Sequence, residues 1–229
     1  VADRAPETDD LTIGILGAGR VGGALGRLWV AAGHAVVFGE IDPDAPRVRD
    51  LVAALGPRAS VTGVAQAAQA ADVVVLAVPW NASTGALAAA APHLAGKVLV
   101  DVINPLLPDL SGLDLGGESS SAEATARLVP GARVVKAFNT IACGLLGASD
   151  FPAGRAAGLL CGDDREAKRV VAGLVAAAGF EPLDAGPLAE ARTLEALALV
   201  WIRLVVARAL PGDAALGVFR KAPAPSFPA

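Results

Sequence analysis

LTIGILGAGRVGGALGRLW, residues 11–29, runs from an apolar strand pattern through three glycines at the G-x-G-x-x-G spacing, Gly17, Gly19 and Gly22, into a helical pattern. Each glycine has a task in such a turn. Gly17 permits the tight exit from the strand, Gly19 lets the main chain approach a pyrophosphate, and Gly22 lets the helix pack against the sheet. The helix start at Arg20 and Val21 then offers amide donors and partial positive charge to a phosphate. Such a turn can also serve packing alone. Here, however, a second strand follows and ends in Glu40, about twenty residues on, where a carboxylate accepts hydrogen bonds from the adenosine ribose. The other reading of Glu40 is a solvated charge in a loop that also holds Asp42 and Asp44. The stretch reads as a dinucleotide cradle formed by Gly17, Ala18, Gly19, Arg20, Val21 and Gly22. It decides the fold class: α/β, a Rossmann doubly wound parallel sheet with a small C-terminal α/β domain.

Outward from this stretch, strand-like and helix-like runs alternate, as in a parallel sheet wrapped by helices. LTIGIL (11–16), AVVFG (35–39), residues 59–62, DVVVLAV (72–78), KVLVDV (97–102) and RVVKAF (133–138) read as strands. Helices are expected over 20–32, 44–55, 64–70 and 81–91, and Ser120 with Glu123 forms a capping box opening a helix over 121–128. Residues 104–117 are too irregular for an element and long enough for a loop that crosses an active site. Beyond Gly147 the order resets to a strand (156–161), a helix (165–178), a strand (181–183) and a long helix over 189–209. The expected organisation is a disordered leader (1–10), a dinucleotide-binding Rossmann domain (11–148), a small C-terminal domain (149–221) and a loose Pro-rich tail (222–229).

Composition narrows the function. The chain has 229 residues, 54% of them hydrophobic, but much of that is alanine. No stretch approaches the roughly 20 strongly apolar residues of a membrane span. The first ten residues lack the basic start and apolar centre of a secretory signal, so a cytoplasmic location is expected. A net charge of −4 with scattered Lys and Arg offers no basic face for nucleic acid. Cys143 and Cys161 have no metal or redox spacing and read as buried free thiols; no metal is expected. His34 and His93 read as surface residues.

Other candidates lie where further strands end, on the edge where open α/β sheets bind ligands. AVPWN (77–81) brings Val78, Pro79 and Trp80, the last two suited to wall a flat ring. DVINPL (101–106) and KAFNTI (136–141) bring Asn104, Asn139 and Thr140, whose other reading is turn chemistry. Lys136 lies inside a strand run and reads as structural.

Taken together, GAGRVGGALGRLW, AVPW, DVINPL, VVKAFNTI, CGDD (161–164) and LDAGPLAEARTLEAL (183–197) resemble the coenzyme F420-dependent NADP oxidoreductase family. The resemblance implies a Rossmann domain with a small C-terminal domain, a homodimer, and hydride transfer between a nicotinamide and a deazaflavin, coenzyme F420. It further implies that Pro79, Trp80, Asn139, Thr140 and Ile141, with Val78, Ala137 and Phe138 beside them, surround the two rings, and that LDAGPL closes the cleft. In one place the sequence departs from the family. Members place a Ser-Arg pair after the glycine ending the second strand, where it holds the 2′-phosphate of NADP, whereas this chain has Glu40 and Ile41 after Gly39. The residues therefore point to NAD, with NADP possible through Arg47 or Arg49.

Hydride transfer between stacked rings needs no nucleophile and no acid–base residue; the protein fixes distance and facing. The expected second substrate is coenzyme F420 or a flavin. Two alternatives stay open: an NAD(P)-dependent reductase or dehydrogenase of a small organic substrate, and a dinucleotide-binding module without turnover.

Overall fold

Leu11 leads into β1 (Thr12–Leu16), and strand and helix alternate from there: α1 (Arg20–Ala31), β2 (Ala35–Glu40), α2 (Pro46–Leu55), β3 (Ala59–Gly63), α3 (Val64–Ala70), β4 (Val73–Leu76), α4 (Trp80–Ala90), β5 (Val98–Asp101), α5 (Ser121–Leu128) and β6 (Arg133–Ala137). A short hairpin of β7 (Asp150–Phe151) and β8 (Gly154–Arg155) precedes β9 (Ala157–Gly162), α6 (Arg165–Ala177), β10 (Glu181–Asp184) and α7 (Ala191–Val206). This computed structural model describes residues 10–147, 150–151 and 154–218. The expected leader, apart from Asp10, and the expected tail lie outside the described residues.

The main sheet has the order β10-β9-β6-β5-β4-β1-β2-β3. Pairing is parallel from β3 to β6; β9 joins β6 antiparallel, and β10 is parallel to β9. The segment expected as a small C-terminal unit thus adds β9 and β10 to the edge of the same sheet, while β7 and β8 pair only with each other. Strand order reverses at β1, which sits between β2 and β4, so a crevice opens above its carboxyl end.

The central strands are apolar runs because both faces are covered. One face packs Ile13, Ile15, Val75 and Val100 with Leu25 and Trp29 of α1, Val48 and Leu51 of α2, and Val171 and Leu174 of α6. The other packs Leu16, Val74, Leu76 and Leu99 with α3, α4 and α5 and with Leu194 at the start of α7. α5 starts as the capping box requires, with Glu123 N donating to Ser120 Oγ at 3.1 Å. The Glu123 carboxylate turns to Arg192, which grips it with two hydrogen bonds of 2.8 and 2.6 Å and holds it below the usual carboxylate range.

Two expectations are corrected, that both histidines are surface residues and that both cysteines are buried. His34 is buried, because its ring closes the start of the first strand: Leu11 N donates to His34 Nδ1 at 3.3 Å, and burial pushes its pKa down. His93 is half-buried. Both cysteines are free; Cys161 is buried and its thiol is pushed up to about 12 by burial, whereas Cys143 is half-buried.

Candidate dinucleotide and acceptor site

Gly17 leaves β1 with φ +102°, and a Cβ there would lie 2.9 Å from the Ala77 carbonyl oxygen. A Cβ at Gly22 would lie 2.0 Å from the Gly17 carbonyl oxygen, so α1 can start against the strand only with glycine at this position. At Gly19 a Cβ would meet nothing within 4 Å. Two of the three glycines therefore serve the fold. The third leaves a gap open at the N-terminus of α1, where helix amides and dipole favour an anion. The cradle fits a dinucleotide pyrophosphate, since it is main chain with room above it that a side chain would fill.

The end of β2 is tied to this cradle. Ala18 N donates to Glu40 Oε1 at 2.5 Å, Arg47 Nη1 donates to Ala18 O at 2.5 Å, and Arg47 Nη2 reaches Glu40 Oε1 at 3.4 Å. One peptide unit on each side of Ala18 is thus held by an ion pair between the end of β2 and the first turn of α2. Arg47, weighed in the sequence only as an alternative phosphate ligand, stands beside Glu40. Ile41 is 94% exposed, directly after the carboxylate.

From the cradle a cavity of 370 Å³ runs along the sheet edge, bounded by residues 19–21, 77–80 and 102–104. A second cavity of 470 Å³ adjoins it and shares Pro79, Trp80 and Asn104. Its remaining wall is Asn81 of α4 and the loop after β5, with Leu106, Leu107, Pro108 and Asp114. That loop is folded: Leu106 and Leu113 form an antiparallel bridge, Asp114 N donates to Pro105 O at 2.7 Å, and Arg203 Nε of α7 donates to Leu110 O at 2.8 Å. Trp80, in the first turn of α4, donates its indole N–H to Asp114 Oδ2 at 2.7 Å.

The turn after β6 is placed behind these cavities. Phe138 has φ +61°, a strained value for an aromatic residue, and its side chain packs edge-on to Trp29 at 5.7 Å between centroids. Ala137 and Phe138 are buried, so what they offer a ligand is main chain. Asn139 Nδ2 donates to Asn104 Oδ1 at 3.0 Å and to Leu194 O at 3.1 Å, while Asn104 Nδ2 donates to Asn139 O at 2.8 Å. Asn104 faces both cavities and Asn139 holds it there. Asn139 and Thr140 are themselves buried, Ile141 is half-buried, and none of residues 137–141 lines either cavity. LDAGPL likewise lines neither; it follows the edge of β9, with Leu188 N donating to Asp163 Oδ1 at 2.8 Å.

Beneath the edge lies a polar cluster that the sequence reading missed. Lys136 Nζ, fully buried, donates to Asp101 Oδ1 at 3.0 Å, Ser121 Oγ at 2.7 Å, Glu195 Oε1 at 2.7 Å and the Ile103 carbonyl. Thr125 Oγ1 donates to Asp101 Oδ2 at 3.0 Å. Among the described residues Glu195 Oε2 has no hydrogen-bond partner, and burial raises the Glu195 pKa. Asp101, Ser121 and Glu195 lie on three elements far apart in sequence, so spacing carried no signal. The same holds for Asp114, a loop aspartate without a motif.

The family model for NADP oxidoreductase, coenzyme F420-dependent, matches residues 12–105. An F420-dependent NADP reductase of Methanothermobacter thermautotrophicus is 33% identical over 201 residues, 82% of this chain and 86% of that protein. The chain belongs to the F420-dependent NADP oxidoreductase family. A solved structure from Arthrobacter sp. FB24, provisionally named an F420-dependent NADP reductase, shares 31% identity with a TM-score of 0.81, covering 92% of this chain and all of that one. The metalloreductase STEAP3 of Rattus norvegicus is 39% identical over 207 residues; the match covers 90% of this chain but 40% of that relative. That family is one of nicotinamide-dependent oxidoreductases. Among the described residues no helix is long and apolar enough to cross a membrane.

Proposed function

We propose that the protein transfers a hydride between a nicotinamide dinucleotide and a planar ring acceptor of the deazaflavin or flavin type. The observation that carries this reading is the pair of adjoining cavities with common walls in Pro79, Trp80 and Asn104, one reaching the glycine cradle and the other lined by the 104–117 loop. Two flat partners, one from each cavity, would stack where the cavities adjoin. The nicotinamide, when bound, supplies the hydride; the chain supplies position. Gly19 and the start of α1 would take the pyrophosphate and Glu40 the adenosine ribose, while Val78, Pro79 and Trp80 would wall the ring and exclude water. No lining residue of the first cavity is acidic, and its one base is Arg20 at the cradle, which suits chemistry by positioning.

The end of β2 supports NAD as the favoured dinucleotide, because a 2′-phosphate would meet the Glu40 carboxylate; Arg47 beside it keeps NADP admissible. We further read the active species as a homodimer. Past Leu199 no residue of α7 is buried, although Val200, Trp201, Ile202, Leu204 and Val205 are apolar, and a second copy of the same helix would cover them. The functional reading is tested by following NADH oxidation at 340 nm with a deazaflavin, a flavin and a panel of carbonyl and imine compounds. Oxidation with the ring acceptors and not with the panel is expected. Turnover of the panel alone would establish a small-substrate reductase, and no turnover with tight NADH binding would establish a binding module.

A further inference from the structure

The cavity between Trp80 and the 104–117 loop holds one carboxylate, Asp114, among flat and apolar walls: the Trp80 indole, Pro79, Pro108, Leu106 and Leu107. Its other polar groups are the amides of Asn81 and Asn104. Asp114 is fixed from both sides, its main chain bonded to Pro105 and its Oδ2 accepting the Trp80 N–H at 2.7 Å. The loop tip is held to α7 by Arg203, so the carboxylate stands on a folded support. Pro79 and Asp114 are exposed, which leaves the cavity open for exchange of a second substrate. A carboxylate accepts several hydrogen bonds and donates none, and one accepted bond leaves capacity unused.

We propose that Asp114 is the recognition group of the acceptor cavity, orienting Trp80 as one wall and accepting a hydrogen bond from a ring N–H of a planar heterocycle laid against that wall. This rests on the reading that the second cavity takes the acceptor, and it names the acceptor's chemistry: a flat ring with an N–H at its edge, such as the imide of a flavin or deazaflavin. A ring with only acceptors at that edge would meet the carboxylate unpaired, a costly arrangement. Asp114 acts by binding and positioning and takes no part in bond making.

The test is a fluorescence titration of the whole protein with lumiflavin, 5-deazalumiflavin and N3-methyl-lumiflavin, for the parent, Asp114→Ala and Asp114→Asn. In the parent, methylation of the imide nitrogen is expected to raise Kd at least tenfold. In Asp114→Ala, lumiflavin Kd rises at least tenfold and methylation then changes it less than twofold, so the two losses do not add. Asp114→Asn, which keeps an oxygen for Trp80, falls between. Equal affinity of the parent for lumiflavin and its methylated form, or unchanged lumiflavin binding by Asp114→Ala, or no binding of either ring, would overturn the proposal. These outcomes are independent of turnover. NADH oxidation by a flavin or deazaflavin whose binding ignores Asp114 and imide methylation sinks this inference alone, whereas flavin binding through Asp114 without any hydride transfer sinks the functional reading alone.

Discussion

A Cβ at Gly22 would lie 2.0 Å from the Gly17 carbonyl oxygen, and one at Gly19 would meet nothing within 4 Å, so neighbouring positions of one motif answer different questions. We predict that Gly19→Val keeps the parent melting temperature within about 2 °C and weakens NADH binding at least a hundredfold in calorimetric titration. Gly22→Ala should instead lower the melting temperature by several degrees, because main chain must move. At the end of β2, the Glu40 carboxylate should favour NADH over NADPH by roughly 2 kcal/mol, about thirtyfold in kcat/KM, after partial neutralisation by Arg47. Replacing Glu40 by Ser and Ile41 by Arg should reverse that preference, since a guanidinium fork then meets the phosphate. Arg47→Ala should widen the parent preference for NADH. Comparing catalytic efficiencies with the two dinucleotides at one acceptor concentration checks all three. A parent that prefers NADPH would show that Glu40 does not face the ribose.

Among the elements, the strands of the main sheet were legible because an apolar run flanked by turn residues admits few other structures, and α5 because Ser120 and Glu123 announce its start; the two-residue strands β7 and β8 are too short to carry such a pattern. The helix ends were less so: Trp80 belongs to the first turn of α4, where Pro79 tolerates the missing N–H. At the candidate site, spacing pointed to the cradle and Glu40, and the strand end at 72–78 pointed to Trp80. Asn139 and Phe138, read beside them as ligand groups, turn their side chains to Asn104 and to the core, a placement that spacing cannot give because only side-chain direction decides it. The Lys136 cluster joins β5, β6, α5 and α7 and was invisible to spacing. Its titration has a definite sign. Burial raises Glu195 in the folded state, so the folded protein holds a proton that the unfolded chain has released between the ordinary glutamate pKa and the raised value. Stability contributed by this group is full below the ordinary value and declines as pH rises toward the raised one. Chemical denaturation across pH 4 to 8 should show that decline in the parent and its loss in Glu195→Gln. Lys136→Met, which leaves two buried carboxyl groups without their cation, should cost about 3 kcal/mol or more.

At the scale of the whole molecule, the packed start of α7 and its apolar end, uncovered among the described residues, describe a helix with one partner inside the chain and room for another. A dimer mass in light scattering at micromolar concentration is expected, and Leu204→Glu should reduce it to the monomer while leaving the melting temperature nearly unchanged. The crevice at β1, the folded loop and the two cavities all lie on the carboxyl edge of one sheet, so topology alone places the proposed dinucleotide and acceptor sites side by side. Direct transfer between two rings on that edge is the central claim. It is tested most directly by incubating the protein with 5-deazalumiflavin and NADH deuterated at C4, in the 4R and 4S forms separately, and measuring label in the reduced deazaflavin by mass spectrometry. The account predicts deuterium at C5 of the acceptor from one of the two forms and none from the other. Deuterium absent from the acceptor with both forms, or appearing in water, would contradict it.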